Sequence, residues 1–229
     1  MKLTLKQHWL TYVILAYGLL LTGVLIEKFV ADFLLDPTDD WWRFWYLFTY
    51  QTNIMVAAWS VMYGLGKVFN WENVVGWLTK KIVVIIITVN TLIVFLIVFF
   101  VLNPVLQGQW NPISSLSELL NHNLSTVLMS MVFLMIPGNG VLKNKTAITV
   151  LIYPFTYFIF HTIIGLSFTF KDGAPAFNYG FVNPNNYDNL LVFVGIVVLL
   201  VLIFGAIGFG LIQWKNKIHP VKQTKAIRR

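Results

Sequence analysis

From Ile82 to Leu102 the chain reads IVVIIITVNTLIVFLIVFFVL, with no charged residue and no polar face that could meet water. A soluble helix keeps one polar stripe, whereas a helix crossing the roughly 30 Å hydrocarbon core of a bilayer needs about 20 apolar residues. Five further stretches share this character, at about 9–31, 44–65, 118–137, 148–170 and 189–213. With no water to satisfy backbone amides inside a bilayer, such stretches are confined to helices. The expected fold is an all-α integral membrane protein with six transmembrane helices. Composition agrees, at 58% hydrophobic and 11% charged residues, with a mean hydropathy of +0.74. The longest gaps, 66–81 and 171–188, are too short to fold alone, so 1–229 reads as a single six-helix transmembrane domain with no soluble module.

Lys2 and Lys6 precede the first hydrophobic stretch, as in a signal peptide. That stretch is longer than a signal core and ends in IEKFVADF without a small-x-small cleavage pattern, so it is expected to stay attached. Orientation follows from the basic residues, which collect on the cytoplasmic side. An N-in, C-in arrangement puts Lys2, Lys6, Lys67, Lys80, Lys81, Lys143, Lys145, Lys215, Lys217, Lys222, Lys225, Arg228 and Arg229 inside, most of the 16 Lys and Arg residues. Asp32, Asp36, Asp39 and Asp40 then crowd the first outer loop. The expected location is the plasma membrane, multi-pass, with both termini cytoplasmic. The net charge of +7 is accordingly a topology signal and gives no indication of nucleic acid. The basic tail KNKIHPVKQTKAIRR has the charge to touch anionic lipid, although a solvated tail of the positive-inside kind accounts for it.

Cysteine is absent, which excludes disulfides, thiolate metal sites and a cysteine nucleophile. Asn103-Pro104, Asn111-Pro112 and Asn183-Pro184 mark expected reversals outside, and Gly138-Asn139-Gly140 one inside. In the sixth helix Ala206 and Gly210 stand at the small-xxx-small spacing, with Gly205 and Gly208 alongside, a pattern that lets helix backbones approach closely. No internal repeat of the kind found in transporters built from inverted halves is visible.

Depth organises the polar residues. With the second helix entering near Phe44, Thr49 lies about five residues in, or roughly 8 Å. The fourth helix enters from the same side and places His122 at a similar depth. The fifth emerges near Phe170, which puts His161 about nine residues, or roughly 13 Å, from the edge. Thr49, Gln51, Thr52, Asn53, Asn121, His122, Asn123, Tyr157 and His161 therefore fall in one layer in the outer half of the bundle, a candidate polar pocket opening outward. Thr49, Thr52 and Asn53 share one helix face at i, i+3 and i+4, and Tyr157 and His161 share another; Gln51 points elsewhere, toward a neighbouring helix. Each residue also has a plainer role. A threonine in a membrane helix ordinarily bonds its own backbone, and an asparagine ordinarily joins helices. His161 reads as structural, while His122 divides between structural bonding and chemistry.

The run Phe48-Thr49-Tyr50-Gln51-Thr52-Asn53 resembles the F-T-x-Q-[ST]-N signature in the second span of bacterial six-span proteins related to the androgen-induced integral-membrane threonine hydrolases. LLNHNLSTVLM is similar to the histidine-bearing head of that family's fourth span, and IYPFTYFIFHTIIG to the Y-P-x-x-Y stretch of the fifth. The chain differs from the pattern where a proline follows the histidine (Thr126 or Met129 here) and where a basic residue precedes the glycine of span five (Ile164 here). The resemblance implies an intramembrane lipid ester hydrolase with Thr49 as nucleophile and His122 as base, acting on fatty acid esters of hydroxy fatty acids.

That chemistry is physically coherent. A threonine hydroxyl is a weak nucleophile that needs a base within about 2.6–3.2 Å. The amide of Asn53 or the hydroxyl of Tyr157 could serve the developing oxyanion, with Thr52 and His161 lining the substrate site. Glu118, at i−4 from His122, could orient the imidazole, although an acid at a helix start is ordinarily a cap or dipole partner. The expected partners are membrane lipids or a lipid ester, and no cofactor is implied. Three rivals use the same residues. One is a binding or transport protein for a small molecule or lipid; another is acyl transfer, which differs only in the acceptor. The third, a metal or haem site on His122 and His161, lacks a third ligand and a spacing motif.

Overall fold

The computed structural model describes residues 5–35, 40–103, 115–137, 142–171 and 173–219. The turns expected at Pro104, Asn111-Pro112 and Gly138-Asn139-Gly140 lie outside these residues, as do Lys2, Asp36, Asp39, Lys222, Lys225, Arg228 and Arg229. The described chain is helical almost throughout. It comprises α1 (Leu5–Lys28), α2 (Arg43–Tyr46), α3 (Phe48–Val68), α4 (Glu72–Leu78), α5 (Lys81–Ile97), α6 (Leu116–Leu119), α7 (Ser125–Met135), α8 (Thr146–Ser167) and α9 (Leu190–Ile218). π-helical turns extend α1 over Phe29–Leu34 and α5 over Val98–Leu102, and a third, Leu120–Leu124, joins α6 to α7. Two 3-10 turns, Gly180–Val182 and Pro184–Asn186, shape the segment before α9.

Among the described residues four helical spans are long and apolar enough to cross a membrane: Trp9–Ala31, Lys81–Leu102, Thr146–Ser167 and Leu190–Ile218. The segments 48–68 and 116–135 are helical too, but the polar residues near their starts lower their hydropathy. The outward-facing side chains of α8 and α9 are mostly apolar; Leu190, Leu191, Leu202, Ile148, Phe160 and Leu166 are all exposed. In water that surface would be an aggregation-prone patch, whereas against lipid tails it meets its own chemistry. It is the surface of a membrane protein.

The interior holds Ile14 and Leu21 of α1, Val56 of α3, Ile85 and Val89 of α5, Met129 and Phe133 of α7 and Ile212 of α9. Helix α1 packs chiefly on α3, and small residues decide how close they come. A Cβ on Gly64 would lie 2.5 Å from Leu15 Cβ, and one on Gly18 would lie 2.8 Å from Ser60 Cβ. At this seam glycine is required by contact. The expected small-residue face of α9 is rotated in the structure. Gly210 has nothing within 4 Å, whereas a Cβ on Gly205 would stand 3.4 Å from Leu151 and one on Gly208 would stand 3.6 Å from Val150. Gly205 and Gly208 thus face α8 at ordinary van der Waals distance, because the bundle turned that side of α9 inward.

At the far end from α3's start, buried lysines fasten helix ends together. Lys215 Nζ donates to Ile136 O at 2.6 Å and to Phe133 O, so it serves the carbonyls left over at the end of α7. Lys81 Nζ donates to His219 O at 2.8 Å and does the same for α9.

Candidate functional site

The site begins with an unusual helix start. Leu47 precedes α3 and offers no capping side chain, so the first amides of α3 must find acceptors elsewhere. A tyrosine phenol supplies one for Phe48. Tyr157 Oη, from α8, accepts from Phe48 N–H at 3.2 Å and donates to Tyr46 O at 2.9 Å. Tyr179, from the segment between α8 and α9, brings its phenol close to Thr49 and Phe48 at the same helix start. Burial pushes the Tyr179 phenol above its ordinary value of 10.0, and the nearby polar groups of Thr49 and Phe48 pull partly against that rise. The phenol is thus held neutral beside the Thr49 hydroxyl.

The segment that carries Tyr179 is tied down at several points. Gly173 takes a left-handed φ of 83°, and the turn closes with an antiparallel bridge between Thr169 and Pro175. Lys171 N–H donates to Asp40 Oδ2 at 2.9 Å, and Arg43 Nε to Asn178 Oδ1 at 2.9 Å. Gly165 lies directly under the Phe177 ring, where any Cβ would collide. The turn expected at Asn183-Pro184 forms, with Asn183 Oδ1 accepting from Asn185 N–H at 3.0 Å.

Thr49, Tyr157 and Tyr179 stand at one end of a cavity of about 340 Å³ between α3, α5, α8 and α9. Its other walls are apolar: Ile93, Ile97 and Leu102 from the α5 side, Ile148, Leu151 and Phe158 from α8, and Val197, Val201 and Phe204 from α9. Pro154 lies in the α8 wall, inside the helix, where it removes one backbone donor. A largely apolar pocket with a few convergent polar groups is the usual form of a small-ligand site.

The remaining candidates separate into distinct groups. Asn53 belongs to a buried network between helices: its Nδ2 donates to Thr49 O at 2.9 Å and to Asn121 O at 2.8 Å, and its Oδ1 accepts from Ser125 Oγ at 2.5 Å. Ser125 in turn lies 2.7 Å from Tyr17 Oη of α1. The two expected oxyanion donors, Asn53 and Tyr157, thus spend their protons on backbone carbonyls. Thr52 is buried and its hydroxyl has no hydrogen-bond partner. Gln51 bridges to a neighbour as its position suggests, with Nε2 donating to Trp45 O at 2.6 Å and Oε1 accepting from Tyr153 Oη at 2.5 Å.

His122 lies on the π-helical turn, its Nε2 3.1 Å from Glu118 Oε2. It is outside the cavity lining, although its neighbour Asn121 is bonded to Asn53 one turn from Thr49. His161 is fully buried and wrapped by rings: Tyr46 stacks on it at 4.4 Å and 11°, and Tyr157, Tyr179 and Phe177 stand at 5.4, 5.8 and 6.0 Å. Tyr46 Oη donates to its backbone carbonyl at 2.7 Å. Neither ring nitrogen of His161 has a hydrogen-bond partner. Among the described residues no group of three or more His, Cys, Asp or Glu side chains could hold a metal ion.

Sequence reasoning missed Tyr179, Ser125 and Tyr17. The signals were present: Tyr179 sits in the aromatic run AFNYGF, and Ser125 follows Asn121 at i+4. What was absent from the sequence is the docking of the 168–189 segment onto the start of α3.

Comparison of the chain with protein-family models, with curated proteins and with solved structures finds no match.

Proposed function

We propose that this chain is a six-span plasma-membrane protein, both termini cytoplasmic, that hydrolyses lipid esters with Thr49 as nucleophile and His122 as base. One observation carries the reading: Thr49 is a hydroxyl at the polar end of a long, otherwise apolar cavity. An acyl chain laid along the apolar walls brings its ester carbonyl to that hydroxyl, and binding energy from the chain is spent on alignment. Thr49 Oγ1 then attacks the carbonyl carbon while its proton passes to the imidazole. The alcohol departs with that proton, and water releases the acid from the acyl-threonine.

Three further features support this assignment. Glu118 beside His122 is the carboxylate pairing that orients a general base. A π-helical turn, a common mark of functional positions in helices, carries His122. The start of α3, where Leu47 offers no capping side chain, turns backbone amides toward the Thr49 end of the cavity, donors of the kind an ester oxygen would accept from. The likeness of FTYQTN to the threonine hydrolase signature points the same way, and with it to fatty acid esters of hydroxy fatty acids.

A second reading, lipid binding without catalysis, is favoured by a different observation: His122 stands off the cavity lining, and the Tyr179 phenol lies close to Thr49. Purified protein treated with a fluorophosphonate and with a hydroxy-fatty-acid ester separates the two. Wild type should label and turn over, and Thr49→Ala and His122→Ala should each lose activity by roughly 10²–10⁴-fold. Full activity in both variants ends the hydrolase assignment. No reaction in any of them, with a lipid raising Tm, selects the binding protein.

A further inference from the structure

We infer that the cavity opens sideways into the hydrocarbon of the bilayer, through a mouth along the edge of α8 formed by Ile148, Ile152 and Phe155, and that its occupant is a bilayer lipid whose hydrocarbon chain enters there. The inference rests on the lipid ester reading for what happens at Thr49 and adds where the ester comes from.

Ile148, Ile152 and Phe155 stand at i, i+4 and i+7, so they form one edge of α8. All three line the cavity. They are also exposed, to 70, 58 and 48%. A side chain lines a cavity and reaches the outer surface at once only where the cavity communicates with that surface. The opposite wall is different: Ile93 and Val94 of α5 line the same space and are 1 and 3% exposed. The cavity therefore runs from the interior of the bundle out to the surface of α8.

What lies outside the mouth is set by its height in the helix. Ile152 and Phe155 stand roughly 9 and 14 Å from the first residue of α8 at 1.5 Å per residue, well inside a span long enough to cross a membrane. The same edge continues as Ile159, Ile163 and Leu166, all exposed and apolar. Water at such a mouth finds no polar partner, whereas a lipid chain meets a surface like itself. The polar end of the cavity is covered instead. Phe181 and Val182 of the docked segment complete the lining beside Tyr179, and Val182 is buried. That segment is fastened through Lys171 to Asp40 and through Asn178 to Arg43. A hydrocarbon chain thus has an apolar way in along α8, and the ester it carries comes to Thr49 from the membrane.

The test is photolabelling of the full chain in nanodiscs, with a hexadecanoic acid methyl ester carrying a mid-chain diazirine dissolved in the lipid. Ile93 and Val94 report entry, because both are buried away from the lipid around the bundle. The chain has no cysteine, so Ile152→Cys can be plugged with N-cyclohexylmaleimide and compared with itself before plugging. Plugging should remove most of the labelling at Ile93 and Val94. The same treatment of Phe160→Cys, exposed on α8 but outside the cavity lining, should leave that labelling unchanged. Labelling that survives the plug at Ile152→Cys, that is equally lost in Phe160→Cys, or that is absent before plugging overturns the inference. The readout needs no turnover. Absence of ester hydrolysis by wild type, with labelling still lost on plugging Ile152→Cys, ends the hydrolase reading and keeps the mouth. Thr49-dependent hydrolysis with labelling indifferent to the plug does the reverse.

Discussion

Asn53 shows how one buried polar side chain can join several helices. One side chain joins α3 to the π-helical turn and to α7, serving two carbonyls and one hydroxyl. Hydrogen bonds between membrane helices average about 0.6 kcal/mol each, and groups left without partners add to the loss. Asn53→Ala should therefore cost about 2 kcal/mol of stability. Thr52 is equally buried but has an unpartnered hydroxyl, so Thr52→Val removes no bond and should change stability by less than about 0.5 kcal/mol. Thermal unfolding of both variants in detergent decides the matter; equal losses would mean that the network does not hold the helices.

At the scale of elements, helix ends are satisfied by side chains from other helices. The start of α3 uses Tyr157, and the end of α7 uses Lys215. Each such contact fixes one helix against another, so the loss of one side chain should act on two elements. Lys215→Met keeps the apolar stem but strands the carbonyls of Phe133 and Ile136, and a charged hydrogen bond lost in this way is worth about 1.5–3 kcal/mol. The same change at exposed Lys217 should cost little. Chemical denaturation of the two variants measures the difference, and equal midpoints would show that the end of α7 is held by something else.

For the molecule as a whole, the proposed orientation is directly measurable because the chain has no cysteine. Asn185→Cys, between α8 and α9, should react with a membrane-impermeant maleimide added to intact cells. Asn144→Cys, before α8, should react only after the cells are opened. Reversed labelling would invert the assigned topology, and labelling of both from outside would remove the crossing by α8.

The apolar blocks by themselves determined that the chain is helical and built for a membrane, because a backbone out of water has no other way to pair its amides. Local spacing also identified Gln51 as a bridge and the Asn183-Pro184 turn, since both depend on neighbours in sequence. Tertiary structure decided the rest. Thr49, Thr52 and Asn53 share a helix face in the sequence, yet only Thr49 reaches the cavity, because the helices packed on either side of α3 are different ones. Ala206 and Gly210 have the right spacing for close packing, yet Gly205 and Gly208 make the contact, because a helix's rotation is set by what it packs against. Tyr179 lies 130 residues from Thr49 in the chain, and only the docked segment brings its phenol to that hydroxyl.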